Sequence, residues 1–299
     1  MKIYFDNVDF ESTSGPNSFG SRLAKQFLKM GHTISKYSEP YDVYMCFISP
    51  RNRPAPESKK ILRVDGIWFS PDNFEENNKF IKNAYDHVDA VIVQSEFDRQ
   101  MIEKWFGKRD NVHVIHNGIE KYESSFTHSS TPRFVCSANW HPQKRLEDNL
   151  RLFQKIRNTM SDAKMTVLGK NAVVAGHRSL TENVAFKGSV SHEECLKVYR
   201  NSDYMIHLAW LDHCPNVVVE ALSEGCPVIC TDSGGTSEIV RDNGIIIPET
   251  TPYNFELLDY DLPHELNFSN FTLPEEKPFV RADYLDIEKV AKKYLEVFS

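Results

Sequence analysis

Short apolar runs alternate with amphipathic stretches along most of the chain. In the first half, such runs predict buried strands at Lys2–Phe5, Val43–Ile48, Ile61–Val64, Ala90–Val93 and Val112–Ile115. Apolar residues at helical spacing predict a helix ending at Met30, where Gly31 follows, and helices at Phe80–Val88 and Phe97–Phe106. Strands that alternate with helices indicate a parallel sheet covered on both faces.

The alternation restarts after a polar Ser/Thr-rich stretch, residues 123–132, which we interpret as an interdomain linker. Further strands are predicted at Phe134–Ser137, Met165–Leu168, Val184–Phe186, Tyr204–Leu208, Val228–Cys230 and Ile245–Ile247. Helices are predicted at Leu146–Met160, Glu193–Asn201, Asn216–Glu224 and Ser237–Val240. The sequence therefore predicts an α/β protein with two doubly wound, Rossmann-like parallel-sheet domains, residues 1–125 and 126–285. We expect them to face each other across a ligand-binding cleft.

The end of the chain has a different pattern. Residues 250–284 are irregular and contain several prolines, whereas Asp286–Phe298 has apolar residues at helical spacing. That apolar face consists of Ile287, Val290, Ala291, Tyr294 and Leu295. We expect residues 286–299 to form a helix that docks on another part of the protein.

Composition excludes several classes of protein. The chain has 299 residues, of which 40% are hydrophobic and 26% charged, as in ordinary globular proteins. A net charge of −7 argues against nucleic acid as the main partner. No apolar run is long enough to span a membrane, and the start of the chain does not resemble a signal peptide. Most cysteines lie within apolar runs, so we expect reduced thiols and a cytoplasmic protein.

Two carboxylates in the second half carry most of the chemical information. Asp212 is expected in a loop, and Glu220 eight positions later is expected two turns inside a helix that Pro215 can open. A helix N-terminus directed between them would be an anion site. An anion flanked by acceptors for hydroxyl groups is typical of a bound sugar nucleotide. The alternative is an ordinary surface loop that leads into an amphipathic helix.

The order of the motifs resembles that of the GT-B glycosyltransferases, specifically retaining glycosyltransferase family 4. The motifs are the glycine loop Gly15–Gly20 with Gly31-His32, Val114–Ile119, Trp140–Leu146, Val184–Val190, and Asp212–Glu238 with its glycine pair. The resemblance covers nearly the whole chain and implies a GT-B fold whose C-terminal helix crosses back to the N-terminal domain. Two departures stand out: Asp212 replaces the first glutamate of the E-x7-E motif, and Asp65 replaces a frequent histidine.

The resemblance implies roles for the side chains. Glu220 would accept hydrogen bonds from the ribose hydroxyls, and Asp212 would bind hydroxyls of the donor sugar. Lys144 and Arg145 would neutralise the departing diphosphate. Asp65 would orient the sugar or the acceptor hydroxyl, although a turn aspartate before a glycine is the simpler interpretation.

Backbone groups would supply the remaining contacts. Amides of Asn216 and Val217 would hold phosphate oxygens, and Gly188, Ser189 and Val190 would contact the base. Other residues expected at the ligand are Gly15, Asn17, Gly20, His213, Cys214, Gly234, Gly235 and Glu238. The glycines could instead serve simple turns, and Glu238 could cap a helix.

The implied activity is transfer of a sugar from a UDP- or GDP-linked donor to a hydroxyl of a carbohydrate, lipid-linked or other acceptor, with a front-face mechanism. We expect no cofactor and no metal, and we interpret Asp259-Tyr260-Asp261 as a solvated loop. The basic loop residues Arg51, Arg53, Lys59 and Lys60 suggest a phosphorylated or lipid-linked acceptor or peripheral membrane contact, although such runs are usually solvated. Two alternatives stay open: a GT-B sugar-nucleotide epimerase, and a catalytically silent protein that binds sugar nucleotides.

Overall fold

The computed structural model describes residues 1–12, 14–121, 130–174 and 178–299, and the chain divides into two compact units. The first unit contains Met1–Glu120, Asn254–Asp259 and Tyr284–Ser299, and the second contains Lys121–Tyr253 and Tyr260–Asp283. Most of the predicted linker, including the predicted boundary at residue 125, lies outside the described residues.

The first unit is built on a six-stranded sheet in which neighbouring strands run parallel, in the order β2-β1-β3-β4-β5-β6. Its strands are β1 (Lys2–Asp6), β2 (Thr33–Ile34), β3 (Val43–Phe47), β4 (Lys59–Val64), β5 (Ala90–Val93) and β6 (Val112–Val114). Its first three helices are α1 (Gly15–Lys29), α2 (Phe74–His87) and α3 (Glu96–Phe106). Strands β3 and β5 are buried throughout, as the unbroken apolar runs predicted.

The second unit repeats this architecture with the strand order β12-β11-β10-β7-β8-β9, again with parallel neighbours. The strands are β7 (Arg133–Ser137), β8 (Lys164–Leu168), β9 (Val184–Gly188), β10 (Tyr204–His207), β11 (Val228–Thr231) and β12 (Gly244–Ile247). The helices are α4 (Leu146–Arg157), α5 (His192–Arg200), α6 (Asn216–Ser223) and α7 (Thr236–Val240). Leu150 and Phe153 of α4 pack with Phe134 and Val167 of the sheet in one core.

The last helix, α8 (Ile287–Phe298), packs against α1 in the first unit. The carboxylate of Asp286 caps it by accepting the Glu288 N–H over 2.8 Å. Its buried face is Ile287, Val290, Ala291 and Tyr294, which share a core with Phe19, Leu23 and Phe27 of α1. The prediction that the C-terminal helix packs on the N-terminal domain is therefore confirmed.

Several helix boundaries differ from the predicted ones. Helix α2 begins at Phe74 rather than Phe80, and its first turn contains Glu75 and Glu76, whose charges favour a helix start. Pro215 does not open α6 but precedes it, because its ψ of 117° is extended rather than helical. Among the described residues, none of the helices has the length and apolar character needed to cross a membrane.

Candidate active site in the second unit

The carboxylate of Asp212 lies between two basic side chains. Lys144 Nζ donates to Asp212 Oδ2, and His207 Nε2 lies 3.3 Å from the same oxygen. The His207 side chain is 5% exposed and that of Asp212 12%, whereas that of Lys144 is 21% exposed. Lys144 is thus the member of this cluster that reaches furthest toward solvent.

Burial and charge act in opposite directions on this cluster. Burial alone would raise the pKa of the Asp212 carboxyl, but the Lys144 ammonium and the His207 ring outweigh it and hold the pKa well below its usual range. Burial lowers the pKa of His207 below 6.5, although the Asp212 carboxylate opposes this. At neutral pH the cluster therefore contains an ionised carboxylate and a neutral imidazole.

The turn that presents Lys144 is short and strained. Pro142–Lys144 forms one turn of 3-10 helix, and Arg145 then takes a left-handed conformation, with φ of 51°, before α4 begins. Asn149 holds this turn in place. Its side-chain amide donates to the carbonyl of Arg145 over 2.7 Å and to the carbonyl of Lys144 over 3.2 Å. Its Oδ1 accepts the Leu208 N–H at 3.3 Å. Asn149 therefore links the Lys144 turn to the end of β10.

Arg145 has a different environment from Lys144. Its guanidinium is 1% exposed and pairs with Glu249 at 2.5 Å, and it also donates to the carbonyl of His264 at 2.8 Å. Asp148 lies 3.9 Å from its Nε. Since carboxylates already balance its charge, Arg145 supports the turn in this arrangement. Its predicted contact with a diphosphate stays a prediction.

The glycine pair lies against the loop that contains Asp212. Gly234 has φ of +66°, and a Cβ there would lie 2.5 Å from the Asp212 carbonyl oxygen. The Gly235 N–H donates to that oxygen over 2.8 Å. Leu211, just before Asp212, has φ of 53° and donates its N–H to Ser233 Oγ over 2.9 Å. The glycine pair thus fixes the Asp212 loop, and the predicted contact of these glycines with a ligand stays a prediction.

Helix α6 begins three residues after His213 and carries Glu220 in its second turn. The carbonyl of Pro215 accepts hydrogen bonds from the N–H groups of Val218 and Val219. The amides of Asn216 and Val217 therefore lie ahead of the first N–H groups that bond within the helix. The side chain of Glu220 is 7% exposed, and its Oε1 lies 3.2 Å from Nε2 of the half-exposed His192, the first residue of α5.

Other predicted donor residues of the second unit differ in exposure. Gly188 ends β9 with φ of 65°, and its carbonyl accepts the Gly169 N–H over 2.8 Å. Of the remaining residues, Ser189 is exposed, Cys214 is buried, and Val190, His213 and Glu238 are half-buried.

The remaining predicted residues, Asp65, Gly15, Asn17 and Gly20, belong to the first unit. Asp65 accepts from the buried Arg63, and Gln94 donates to its Oδ1 over 2.7 Å. Gly15 opens α1, and Asn17 Oδ1 accepts the Asp9 N–H at 2.9 Å. A Cβ on Gly20 would lie 2.9 Å from a methyl group of Val8, so this glycine serves packing.

Four residues around the site were not predicted to belong to it: His192, His207, Asn149 and Glu249. The position of His207 within an apolar strand was the one available indication of a polar partner. No sequence spacing connects Glu249 with Arg145 or His192 with Glu220. Among the described residues, no group of three or more His, Cys, Asp or Glu side chains is placed to hold a metal ion.

The second unit is similar in sequence to a known protein family. Residues 119–256, which contain Lys144, Asp212 and Glu220, match the family described as Glycosyl transferases group 1. An uncharacterized glycosyltransferase of Methanocaldococcus jannaschii is 22% identical over 220 residues, which cover 65% of this chain and 55% of the relative. The chain spans about half the length of the curated relatives it matches.

Two solved structures have a similar fold. Sucrose-phosphate synthase from Thermosynechococcus elongatus has a TM-score of 0.66 at 14% identity, covering 100% of this chain and 94% of the other. The Anabaena protein HepE, solved in complex with UDP-glucose, has a TM-score of 0.61 at 16% identity, covering 83% of this chain and 85% of the other. The chain has the GT-B fold, and its residues 119–256 are similar to the glycosyl transferases group 1 family.

Proposed function

We propose that this protein is a retaining glycosyltransferase that moves a sugar from a nucleoside diphosphate sugar to an acceptor hydroxyl. The observation that carries the proposal is the pair of Lys144 and Asp212, just ahead of the N-terminus of α6 and inside the segment that matches the family. A cation and a helix N-terminus attract a diphosphate, whereas a carboxylate beside them accepts sugar hydroxyls.

Lys144 has the central role in this proposal. Without a donor, its charge is matched by Asp212. A diphosphate carries more negative charge than one carboxylate, so it competes for the ammonium group and leaves Asp212 able to accept hydroxyl hydrogen bonds. Amides of Asn216 and Val217 would bind phosphate oxygens. Glu220 would accept from the ribose, with His192 as the neighbour that orients its carboxylate.

The proposed reaction breaks the bond between the sugar C1 and the phosphate oxygen. The acceptor oxygen forms the new bond to C1 on the same face, and the acceptor proton goes to the departing phosphate oxygen. Lys144 and the amides at the start of α6 stabilise the charge that develops on the diphosphate. Because protein groups supply that stabilisation, we propose that transfer needs no divalent metal.

The donor and the acceptor are separate proposals. UDP-sugars are the first donors to test, since the HepE neighbour is a UDP-glucose complex, and GDP-sugars come next. The acceptor would be a hydroxyl of a carbohydrate or of a lipid-linked sugar.

The test is donor turnover in excess EDTA with UDP-, GDP-, ADP- and TDP-sugars and a panel of simple sugar acceptors. We expect release of the nucleoside diphosphate with one donor class, and an anomeric configuration that matches the donor. Lys144→Gln should lower turnover about 10²-fold or more, while Lys164→Gln, which removes an exposed lysine at the start of β8, should not.

Other outcomes would overturn the proposal. An epimerised donor would identify an epimerase, and a bound but unchanged donor would identify a silent binding protein. Activity lost in EDTA and restored by manganese would contradict the metal-free mechanism.

A further inference from the structure

The two faces of the first sheet are covered differently. Strand positions that pair share a face, so Tyr44 of β3 lies on the same face as Tyr4 of β1 and Lys60 of β4. The other face carries the core under α1 and α8. On the Tyr44 face, α2 contacts β4, whereas the connection from β3 to β4, residues 48–58, is described throughout and contains no helix.

Buried polar groups hold this connection in place. The carboxylate of Asp6 is fully buried and accepts the Arg51 N–H at 2.7 Å and the Tyr44 hydroxyl at 2.6 Å. The hydroxyl of Tyr37 donates to the carbonyl of Arg53 over 3.2 Å. The loop backbone is therefore fixed by the sheet beneath it.

A cavity of about 590 Å³ lies between this loop and the last turn of α2. Three basic side chains line it: Arg53 from the loop, Lys60 from β4 and His87 from α2. Apolar and aromatic groups form other parts of its wall, including Tyr44 and Ala84. The volume lies within the range of small-molecule sites.

The basic side chains of this cavity have no acidic side chain beside them in its wall, since none of its lining residues is acidic. Lys60 Nζ donates to the carbonyls of Pro56 and Ser58, at 3.1 and 3.0 Å, rather than to a carboxylate. Arg53 is exposed, and its guanidinium makes no ion pair with any residue that the structure describes. A guanidinium beside an ammonium group suits the oxygens of a phosphate.

We propose that this cavity binds an organic phosphate, with the phosphate on Arg53 and Lys60 and an apolar or aromatic body against Tyr44 and Ala84. The site goes beyond the proposed binding of the sugar donor, which uses none of these residues. A preformed loop favours binding, because little backbone freedom is lost when the ligand arrives.

Calorimetric titration of the full chain with phenyl phosphate and with inorganic phosphate tests the proposal. We expect phenyl phosphate to bind more tightly, and Arg53→Gln to weaken it about tenfold, the worth of one hydrogen bond to a charged group. Arg51→Gln is the matched control, since it removes the same charge from the same loop but Arg51 does not line the cavity. Equal losses in the two variants, or no binding of phenyl phosphate by the wild type, would overturn the proposal.

A second variant tests the location. Ala84→Leu places extra volume in the cavity and leaves its charges unchanged. We expect loss of phenyl phosphate binding with a circular dichroism spectrum like that of the wild type. Unchanged binding in this folded variant would place the ligand elsewhere. Arg53→Gln alters only an exposed side chain, so it stays informative even if Ala84→Leu does not fold.

Discussion

The backbone of Gly234 lies so close to Asp212 that no side chain fits between them. A Cβ on Gly234 would lie 2.5 Å from the carbonyl oxygen of Asp212 and 2.8 Å from its amide nitrogen. Asp212 in turn contacts Lys144 and His207. The position of the proposed donor-binding carboxylate therefore depends on a glycine 22 residues later in the chain.

Substitution of Gly234 should damage both stability and nucleotide binding. Gly234→Ala forces the Asp212 loop away, so we expect a lower melting temperature and weaker binding of the nucleoside diphosphate. Gly225→Ala is a matched control, because Gly225 also has a positive φ but a Cβ there meets nothing within 4 Å. The control variant should lose only about 1 kcal/mol of the free energy of unfolding, because alanine is strained in the left-handed conformation. Equal effects of the two variants on nucleotide binding would contradict the role of Gly234.

The buried His207 predicts a dependence of stability on pH. Its pKa in the folded protein is lowered below 6.5, chiefly by burial, so the unfolded chain binds more protons as the pH falls through that region. The contribution of His207 to the free energy of unfolding should therefore be complete above about pH 6.5 and decrease below that pH. Melting temperatures between pH 7.5 and 5 measure this effect.

His207→Gln should flatten that pH profile, since glutamine does not titrate. His113→Gln is the control, because His113 is exposed on β6. If both variants kept the wild-type slope, His207 would not be the titrating group. Weaker nucleotide binding by His207→Gln at pH 7.5 would further show that His207 positions Asp212.

Removal of the Glu220 carboxylate should weaken nucleotide binding without unfolding the protein. Glu220→Ala is expected to cost roughly 1.5–3 kcal/mol of binding free energy, the usual worth of hydrogen bonds to a charged group. Glu193→Ala, an exposed glutamate on the adjacent α5, should leave the affinity unchanged. Calorimetry with the best nucleotide decides, and wild-type affinity in a folded Glu220→Ala protein would remove Glu220 from the site.

Tyr294 should contribute to stability through a polar contact as well as packing. Its hydroxyl accepts the Nε–H of the fully buried Arg63 at 3.1 Å. Tyr294→Phe leaves that donor unsatisfied, so we expect a loss of about 1–3 kcal/mol in the free energy of unfolding. Lys293→Ala, on the exposed side of α8, should have little effect. A Tyr294→Phe protein as stable as the wild type in urea would show that Arg63 finds another partner.

Periodicity predicted most of the architecture because the strands are short, apolar and bounded by polar turns. The parallel strands of both sheets and the amphipathic α8 follow directly from that pattern. Strand β2 was missed, since two residues with little burial leave no periodic signature. The turn at Arg145 was also beyond prediction, because a left-handed arginine is held by a distant partner, Glu249.

The candidate site was predictable in its components but not in its contacts. Asp212, Glu220 and Lys144 stand out by residue type and by the motifs around them. The contact of Lys144 with Asp212 joins positions 68 residues apart, and that of Glu220 with His192 joins two helices. Such pairs depend on strand order and helix packing, which local spacing does not encode.

The most direct test is whether Lys144 binds the diphosphate of the donor. Calorimetric titration compares UDP, GDP, ADP and TDP with the corresponding nucleosides, in wild-type protein and in Lys144→Gln. We expect the wild type to bind one nucleoside diphosphate far more tightly than its nucleoside, and Lys144→Gln to weaken that diphosphate roughly 10- to 100-fold without changing nucleoside affinity. A folded Lys144→Gln protein that binds the diphosphate as tightly as the wild type, or a wild type that binds none of the four, would contradict this account.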